Sequence, residues 1–250
     1  MGPTVKPIQI SEYNHVVVLT GAGVSAASGV PTFRGTDGLW NDPKVERLSY
    51  FETFLRRPAD VWEFWGWRRK ALAAIEPNAT HYHLAELEET LSAAGPQRAA
   101  RFTLITQNVD GLHVRAGSKN VVEIHGRLTR TRCSDRSCSF SPIEDDYSYE
   151  GGVPCCPVCG QNLRLDIVMF GENLGPEAYK AQQALREADL FVAIGTSGTV
   201  YPAAGYVRTA LQAGARTVYI NLEPLDESNP FFHDQFVGPA EELVPRLLIP

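Results

Sequence analysis

The sequence predicts an α/β protein, in which a doubly wound, Rossmann-like parallel sheet carries a smaller inserted helical and metal-binding domain. Three observations lead to this fold class. Short β-branched strands alternate with helical stretches, the first strand runs into a glycine-rich turn, and all five cysteines fall between Cys133 and Cys159. Alternation of this kind favours a parallel sheet with helices on both faces.

The first strand, His15–Thr20, is a near-continuous β-branched run, which is typical of a strand buried on both faces. Similar strands are predicted over Phe102–Thr106, Leu190–Ile194 and Thr217–Ile220. Helices are predicted over about 59–75, from about Thr80 onward, over Ala203–Ala213 and over Ala240–Leu248, from the spacing of their apolar residues.

Two segments interrupt the alternation and predict the inserted domain. Residues 36–96 show no strand pattern, and residues 131–164 are rich in Cys, Ser and Gly with few apolar side chains. We expect these two segments to form the smaller domain. Residues 1–35, 97–130 and 165–250 are then expected to form the sheet domain.

Composition limits the class of protein. The 250 residues are 44% hydrophobic and 21% charged, which is enough apolar material for a sizeable core. The net charge is −6 with no long basic run, so nucleic acid is not an expected ligand. No apolar run approaches the ~18 residues of a membrane helix. Residues 1–12 lack the features of a secretory or transit segment, so we expect a cytoplasmic protein without membrane contact, or a mitochondrial one if its source is eukaryotic.

The turn after the first strand fits a dinucleotide-binding fingerprint, Gly21-x-Gly23-x-x-Ala26. Small residues let backbone N–H groups approach a pyrophosphate. The acidic residue expected about 20 positions later at the end of a second strand is missing. The strand-end segments Asn221-Leu222-Glu223 and Gly195-Thr196-Ser197 are candidates to replace it. The alternative for each segment is a plain turn without ligand.

The cysteines form two pairs with metal-ligand spacing. Cys133-x4-Cys138 is followed, after seventeen residues, by Cys156-x2-Cys159. This spacing resembles a zinc ribbon, in which four thiolates close a tetrahedral shell around one structural zinc ion. Cys156 gives the two-residue gap, which leaves Cys155 spare, although the choice between these neighbours stays open. The alternative is a set of reduced, buried cysteines.

Polar residues follow the strand predicted over Phe102–Thr106 and a short apolar run after it. The turn Gln107-Asn108-Val109-Asp110 comes directly after a strand, and His125 ends the short apolar run Val122–Ile124. The strand ends at the ligand edge of a parallel sheet are where a general base is expected, although solvated loops have a similar composition. The remaining histidines outside this turn are expected to be surface or capping residues: His15, His81, His83 and His233.

In their order along the chain, these motifs resemble those of the sirtuins, NAD-dependent protein lysine deacylases. The resemblance extends from about Asn14 to Leu248. It also includes Pro31-Thr32-Phe33-Arg34-Gly35, Ile124-His125-Gly126 and Phe170-Gly171-Glu172. It implies an NAD-binding sheet domain, a small helical and zinc-binding domain, and an acyl-lysine peptide bound between them. Products would be nicotinamide, O-acyl-ADP-ribose and free lysine.

The resemblance assigns roles residue by residue. His125 would be the general base and Asn108 a second catalytic residue. The acyl-lysine substrate would contact Trp65, Arg68, Val168, Phe170, Gly171 and Glu172, in part by strand pairing. Contacts with NAD are implied for Gly21, Ala22, Gly23, Ser25, Phe33, Arg34, Trp40, Gln107, Asn108, Val109, Asp110, Gly195, Thr196, Ser197, Asn221, Leu222, Glu223 and Ala240.

Within the family, the chain is most similar to the class III branch, which favours succinyl, malonyl or glutaryl lysine over acetyl lysine. That branch has a Tyr-x-x-Arg pair that binds the acyl carboxylate. Here Arg68 matches, but Trp65 stands where Tyr is expected. Competing predictions are a protein mono-ADP-ribosyltransferase, an NAD-dependent dehydrogenase, and a non-enzymatic zinc-bearing interaction module.

Overall fold

The computed structural model describes residues 6–33, 38–93, 101–145, 152–198, 201–225 and 229–250. The strands within these ranges are β1 (Ile8–Gln9), β2 (His15–Thr20), β3 (Arg101–Thr106), β4 (Val121–Glu123), β5 (Gly126–Cys133), β6 (Ile143–Glu144), β7 (Leu163–Ile167), β8 (Leu190–Ile194), β9 (Arg216–Asn221), β10 (Asp234–Val237) and β11 (Leu248–Ile249). The α-helices are α1 (Ala22–Ala26), α2 (Pro43–Arg47), α3 (Phe51–Arg56), α4 (Pro58–Leu72), α5 (Ala79–Ala93), α6 (Leu112–Arg115), α7 (Glu177–Arg186), α8 (Tyr206–Gln212) and α9 (Ala240–Leu247).

The large sheet has the strand order β10-β9-β8-β2-β3-β4, and every pairing in it is parallel. The chain winds from β2 through β3 to β4 on one side and then returns to build β8, β9 and β10 on the other. The strand order therefore reverses between β2 and β8. Ligands of doubly wound sheets bind at this switch point, outside the carboxyl ends of the strands. The predicted α/β, Rossmann-like fold class is confirmed.

Alternating side chains of β2 reach the two faces of the sheet. Val16 and Val18 pack with α5 and α9 on one face, whereas Val17 and Leu19 pack with α7 and α8 on the other. This explains why the strand is apolar without interruption. The helix predicted over 203–213 is a short 3₁₀ turn, Ala203–Gly205, followed by α8.

A second core lies between α3, α4 and a small antiparallel sheet of order β6-β5-β7. Arg69 joins these parts, since its guanidinium donates to the carbonyl oxygens of Leu128 and Arg130 at 2.7 and 3.0 Å and pairs with Asp145 at 3.1 Å. Both charged side chains of that pair are buried.

The predicted domain boundaries remain a proposal, and two packing facts bear on them. Helix α5 was assigned to the smaller domain, but its residues Leu84, Leu87 and Leu91 lie in the core of the large sheet. Strands β5 and β7 cross the proposed boundaries at 130 and 165 and pair with each other. No helix in the described ranges is long and apolar enough to cross a membrane.

Candidate active site

Two glycine turns meet at the switch point of the sheet. The backbone N–H of Gly21 donates to the carbonyl of Ile194 at 3.0 Å, and that of Gly23 donates to the carbonyl of Gly195 at 2.9 Å. A Cβ atom on Gly21 would lie 2.7 Å from the carbonyl oxygen of Gly195, and one on Gly23 would lie 2.9 Å from its Cα. Gly195 itself has a φ of +61°. The turns after β2 and β8 therefore need glycine to pack against each other, independently of any ligand.

A single open cleft of about 1180 Å³ lies over these turns. It brings together most of the residues predicted to bind cofactor or substrate: Gly21, Ala22, Gly23, Phe33, Trp40, Trp65, Gln107, Asn108, Val109, His125, Val168, Phe170, Gly171, Glu172, Gly195, Thr196, Ser197, Asn221, Leu222, Glu223 and Ala240. Ser25, Asp110 and Arg68 are not part of its lining, and Arg34 lies outside the described residues.

Asn108 lies at the floor of the cleft and is held by a buried polar network. Its side-chain amide donates to the carbonyl of Gly21 at 3.0 Å and to Ser25 Oγ at 3.1 Å. Ser25 Oγ in turn donates to Asp110 Oδ2 at 2.7 Å, and Asp110 Oδ1 accepts the N–H of Leu112 at 2.9 Å. Burial raises the pKa of the Asp110 carboxyl. Ser25 and Asp110 thus fix the direction in which Asn108 points.

His125 is oriented by the backbone of the neighbouring strand end. Its Nδ1 lies 3.0 Å from the carbonyl oxygen of Gln107. A carbonyl oxygen only accepts, so this contact places the proton on Nδ1 and leaves Nε2 as the basic nitrogen. Burial lowers the pKa of His125, which keeps the ring neutral at neutral pH. A neutral imidazole with a free Nε2 facing a cleft is suited to remove a proton.

The four cysteines predicted to bind metal converge at one point. The sulfur atoms of Cys133, Cys138, Cys156 and Cys159 lie within 4.8 Å of one another. Two of the separations, Cys133 to Cys159 and Cys138 to Cys156, are 3.5 and 3.7 Å. A tetrahedral zinc ion with Zn–S bonds of about 2.3 Å requires S–S separations of about 3.8 Å. The cluster therefore fits a structural zinc ion, and Cys156, rather than the exposed Cys155, is the third cysteine of the set.

Comparison with known proteins identifies the family of this chain. Residues 21–202 match the Sir2 family. The chain is 46% identical over 240 residues to the NAD-dependent protein deacylase 2 of Pyrobaculum aerophilum, covering 96% of this chain and 92% of the relative. It is 44% identical over 243 residues to the NAD-dependent protein deacylase of Salmonella typhimurium, covering 96% and 85%.

The chain belongs to the Sir2 family.

Solved Sir2 structures have the same fold. A complex of a Sir2 homologue with NAD superposes with a TM-score of 0.83 at 38% identity and covers 95% of this chain and 89% of the other. A Sir2 complex with a deacetylated p53 peptide and 3′-O-acetyl-ADP-ribose superposes with a TM-score of 0.79 at 31% identity, covering 95% and 93%. The predicted family resemblance is confirmed.

Two histidines that were predicted to be surface or capping residues, His81 and His15, are buried in the structure, so that prediction is wrong for them. His81 was expected at the surface or in a cap, but it is completely buried, and its ring centroid lies 4.7 Å from that of His113, which is also buried. His81 Nε2 lies 3.4 Å from Ser25 Oγ, so His81 belongs to the network that holds Asn108. His15 is likewise buried, contrary to expectation. No local pattern predicts this burial, because the residues that His81 and His15 contact, such as Ser25 and Thr103, are distant along the chain.

Because His81 is buried, we expect the free energy of unfolding to fall in acid. Burial lowers the pKa of His81 to about 4, from an ordinary value of 6.5. Between these pH values the unfolded chain binds more protons than the folded one, so the free energy of unfolding falls as pH drops. The slope approaches about 1.4 kcal/mol per pH unit for one such histidine. Urea unfolding across this range will measure it. The H81Q variant should show a smaller slope, and a wild-type free energy that does not change with pH would contradict the prediction.

The segment predicted to contact substrate, Val168–Glu172, is tied to the helical side of the cleft. Phe170 donates its N–H to the carbonyl of Ser49 and accepts from the N–H of Phe51, both at 2.9 Å. The Glu172 carboxylate forms a buried, two-pronged pair with Arg164 at 2.7 and 2.8 Å. The side chain of Glu172 therefore anchors the segment. A contact between the Glu172 backbone and substrate stays a prediction.

Trp65 and Phe33 line the cleft, and Arg68 packs against the rings of both without lining the cleft itself. The indole N–H of Trp65 donates to the carbonyl of Leu48 at 3.1 Å. Arg68 is 6% exposed, and its guanidinium carbon lies 5.5 and 5.9 Å from the ring centroids of Phe33 and Trp65. Its Nε has no hydrogen-bond partner within the part of the chain that the structure describes. Burial lowers the pKa of Arg68, and the nearby Asp110 partly offsets this.

Proposed function

We propose that this chain removes acyl groups from lysine side chains of proteins with NAD as co-substrate, and that it prefers acyl groups that end in a carboxylate. The observation that carries the first part is His125, an imidazole that lines the cleft over the paired glycine turns and whose Nδ1 is bonded to the carbonyl of Gln107, which leaves Nε2 as its basic atom. As a Sir2 family member whose relatives are NAD-dependent protein deacylases, the chain is an NAD-dependent deacylase.

The size and lining of the cleft fit two substrates at once. Its volume of about 1180 Å³ exceeds the roughly 300–1000 Å³ of a pocket for one small molecule. We place the NAD phosphates at Gly21–Gly23 and Thr196, and the adenosine at Asn221 and Glu223. The nicotinamide then lies at Asn108, whose amide direction is fixed by Ser25 and Asp110. NAD supplies a ribose carbon that becomes electrophilic as nicotinamide leaves.

In this proposal His125 acts as the base. With NAD bound, the acyl oxygen would replace nicotinamide on the ribose carbon. His125 Nε2 would then take the proton of a ribose hydroxyl, so that this oxygen attacks the acyl carbon, and one water molecule would be consumed as the bond between the acyl group and the lysine nitrogen breaks. The hydrogen bond from Nδ1 to the carbonyl of Gln107 strengthens as the ring gains positive charge, because a charged donor binds an acceptor more tightly. The acyl group ends on ADP-ribose, and the lysine amine is released.

The peptide is expected to pair with the Val168–Gly171 segment by strand addition. The segment is suited to this because both of its ends are fixed: Val168 donates its N–H to the carbonyl of His125 at 2.9 Å, and Glu172 is held by Arg164. Phe170 is bonded to Ser49 and Phe51, and Met169 donates its N–H to the Glu172 carboxylate and accepts the N–H of Glu172. In the described structure, the carbonyl of Val168 and the backbone groups of Gly171 are therefore the ones left for a peptide.

Acyl preference rests on Arg68, a buried cation whose Nε has no hydrogen-bond partner among the described residues. A buried cation with an unsatisfied N–H is costly, and an acyl carboxylate would satisfy it. A charge-assisted hydrogen bond of roughly 1.5–3 kcal/mol corresponds to a preference of about one to two orders of magnitude. Trp65 contributes an apolar wall instead of a second donor, because Leu48 already accepts its only N–H. We therefore propose succinyl and malonyl lysine as preferred substrates, with weaker activity on acetyl lysine.

We expect R68M to lower kcat/KM for a succinyl-lysine peptide by about 10–100-fold and to spare an acetyl-lysine peptide. The K70M variant is the matched control, since Lys70 is an exposed cation two positions further along α4. Equal losses on both peptides, or a wild-type preference for acetyl lysine, would refute the carboxylate pocket and leave the deacylase proposal standing.

Mass spectrometry of acetyl- and succinyl-lysine peptides, incubated with the protein in the presence and absence of NAD, tests the whole proposal. The expected result is loss of the acyl mass only with NAD, together with one nicotinamide and one O-acyl-ADP-ribose per lysine released. Label from NAD that remains on protein would instead indicate ADP-ribosyl transfer. The cytoplasmic location stays a prediction.

A further inference from the structure

Two buried imidazoles stand behind Asn108, and each reaches it through a hydroxyl group. The first route starts at His113, whose Nε2 lies 3.0 Å from Thr20 Oγ1. Thr20 Oγ1 donates to Thr106 Oγ1 at 2.9 Å, and Thr106 Oγ1 also accepts the backbone N–H of Asn108 at 3.0 Å. The route therefore ends on the main chain of the residue that we place at the nicotinamide.

The directions of these hydrogen bonds fix the state of His113. Thr20 uses its one proton toward Thr106, so its oxygen must accept from His113, and the His113 proton lies on Nε2. Nδ1 of His113 has no partner among the described residues. Burial lowers the pKa of His113, and the adjacent His81 lowers it further, so the ring is a neutral, single donor.

The second route holds the other end of Asn108. The N–H of Asn78 donates to His81 Nδ1 at 3.2 Å, which leaves the His81 proton on Nε2, directed at Ser25 Oγ. Ser25 Oγ accepts the side-chain amide of Asn108. The main chain and the side chain of Asn108 are thus each held by a threonine or serine hydroxyl whose orientation is set by one imidazole.

We propose that His113 is a positioning residue for the nicotinamide end of the cleft, acting on the main chain of Asn108 through the hydroxyls of Thr20 and Thr106. The inference rests on the proposed function, in which Asn108 contacts nicotinamide. His113 does not line the cleft, so it acts without touching either substrate.

The same fold contains a matched control for this role. His15 is as buried as His113, its Nε2 lies 3.0 Å from Thr103 Oγ1, and its Nδ1 also has no partner among the described residues. It bridges the same strands, β2 and β3, at their amino ends. Five residues of β2 separate His15 from Thr20, which is a distance of about 17 Å. If a buried imidazole contributed only to stability, substitution of His113 and of His15 would affect the use of NAD equally.

The test compares H113L with H15L in the full chain. We expect both variants to lower the melting temperature, and H113L alone to lower kcat/KM for NAD by about 10–100-fold, the size of effect that a small misplacement of a binding group produces. KM for the acyl-lysine peptide should stay unchanged in both. Affinity for NAD without peptide, measured by calorimetry, should fall in H113L and not in H15L.

Two further variants keep the inference testable if H113L does not fold. T20V removes only the hydroxyl that links His113 to Thr106 and should reproduce the NAD defect. H113Q retains an amide donor and should recover most of the loss. In a folded double variant, the losses from H113L and T20V should not add, because both break one route. Equal NAD defects in H113L and H15L, no NAD defect in T20V, or additive losses would overturn the inference. A wild-type protein without NAD-dependent deacylation would refute the proposed function instead.

Discussion

H125A is expected to slow NAD-dependent deacylation by about 10²–10⁴-fold, the usual contribution of a positioned general base. The reason is the geometry of His125, whose Nδ1 is committed to the carbonyl of Gln107 so that Nε2 is the basic atom in the cleft. Steady-state rates with an acyl-lysine peptide at saturating NAD will measure the loss. Added imidazole should restore part of the rate, because removal of the ring leaves space for it.

The fold should survive this change, since His125 is half-buried at the end of a strand and forms no ion pair in the described residues. Thermal unfolding of H125A within a few degrees of wild type is therefore the control. The H83A variant provides a second control, because His83 does not line the cleft and contacts the carbonyl of Leu248 and the Glu86 carboxylate instead. Near-normal turnover in folded H125A would remove His125 as the base.

Removal of the metal is expected to have the largest effect on stability. A structural zinc ion contributes an apparent ~10–16 kcal/mol in small zinc domains at neutral pH, more than the net stability of most domains. We expect elemental analysis to find one zinc ion per chain. Chelation should unfold the β5-β6-β7 sheet and abolish activity, because this sheet shares a core with α4 and its strand β7 leads directly into Val168.

Two adjacent cysteines give this prediction a matched pair of variants. Cys156 belongs to the four-sulfur cluster, whereas Cys155 is exposed and outside it. C156S should lose zinc and lower the melting temperature sharply, and C155S should keep both. Equal behaviour of the two variants, or full reactivity of all five thiols in freshly purified protein, would contradict the zinc site.

The parts of the structure that follow from local pattern could be predicted. Residues 16–19 form a strand buried on both faces because four consecutive apolar, mostly β-branched residues allow little else. The turn at Gly21 and the two cysteine pairs are equally local. Strand β10 was not predicted because its polar, mixed composition resembles a loop and its partner β9 supplies the pairing. Helix α7 was not predicted either, although its helix-forming residues and the spacing of Ala181, Ala184 and Leu185 are a helical signal.

The candidate site shows the same division. Gly21, Asn108 and His125 stand at strand ends, where sequence order alone brings them to one edge of the sheet. The roles of His81, Trp65 and Glu172 could not be predicted, since each depends on one distant partner. His81 contacts Ser25 of helix α1, the indole N–H of Trp65 is bonded to the carbonyl of Leu48, and the carboxylate of Glu172 is paired with Arg164.

The mutual packing of Gly21, Gly23 and Gly195 also has a consequence for how this cleft can change over generations. Each turn occupies the space that a methyl group on the other would need. A substitution at a glycine of one turn therefore requires a compensating change in the other turn. A variant library that randomises one turn while the other is fixed should yield few folded members. New cofactor preferences in this scaffold are more accessible through Leu222 and Glu223, which follow β9 and are exposed.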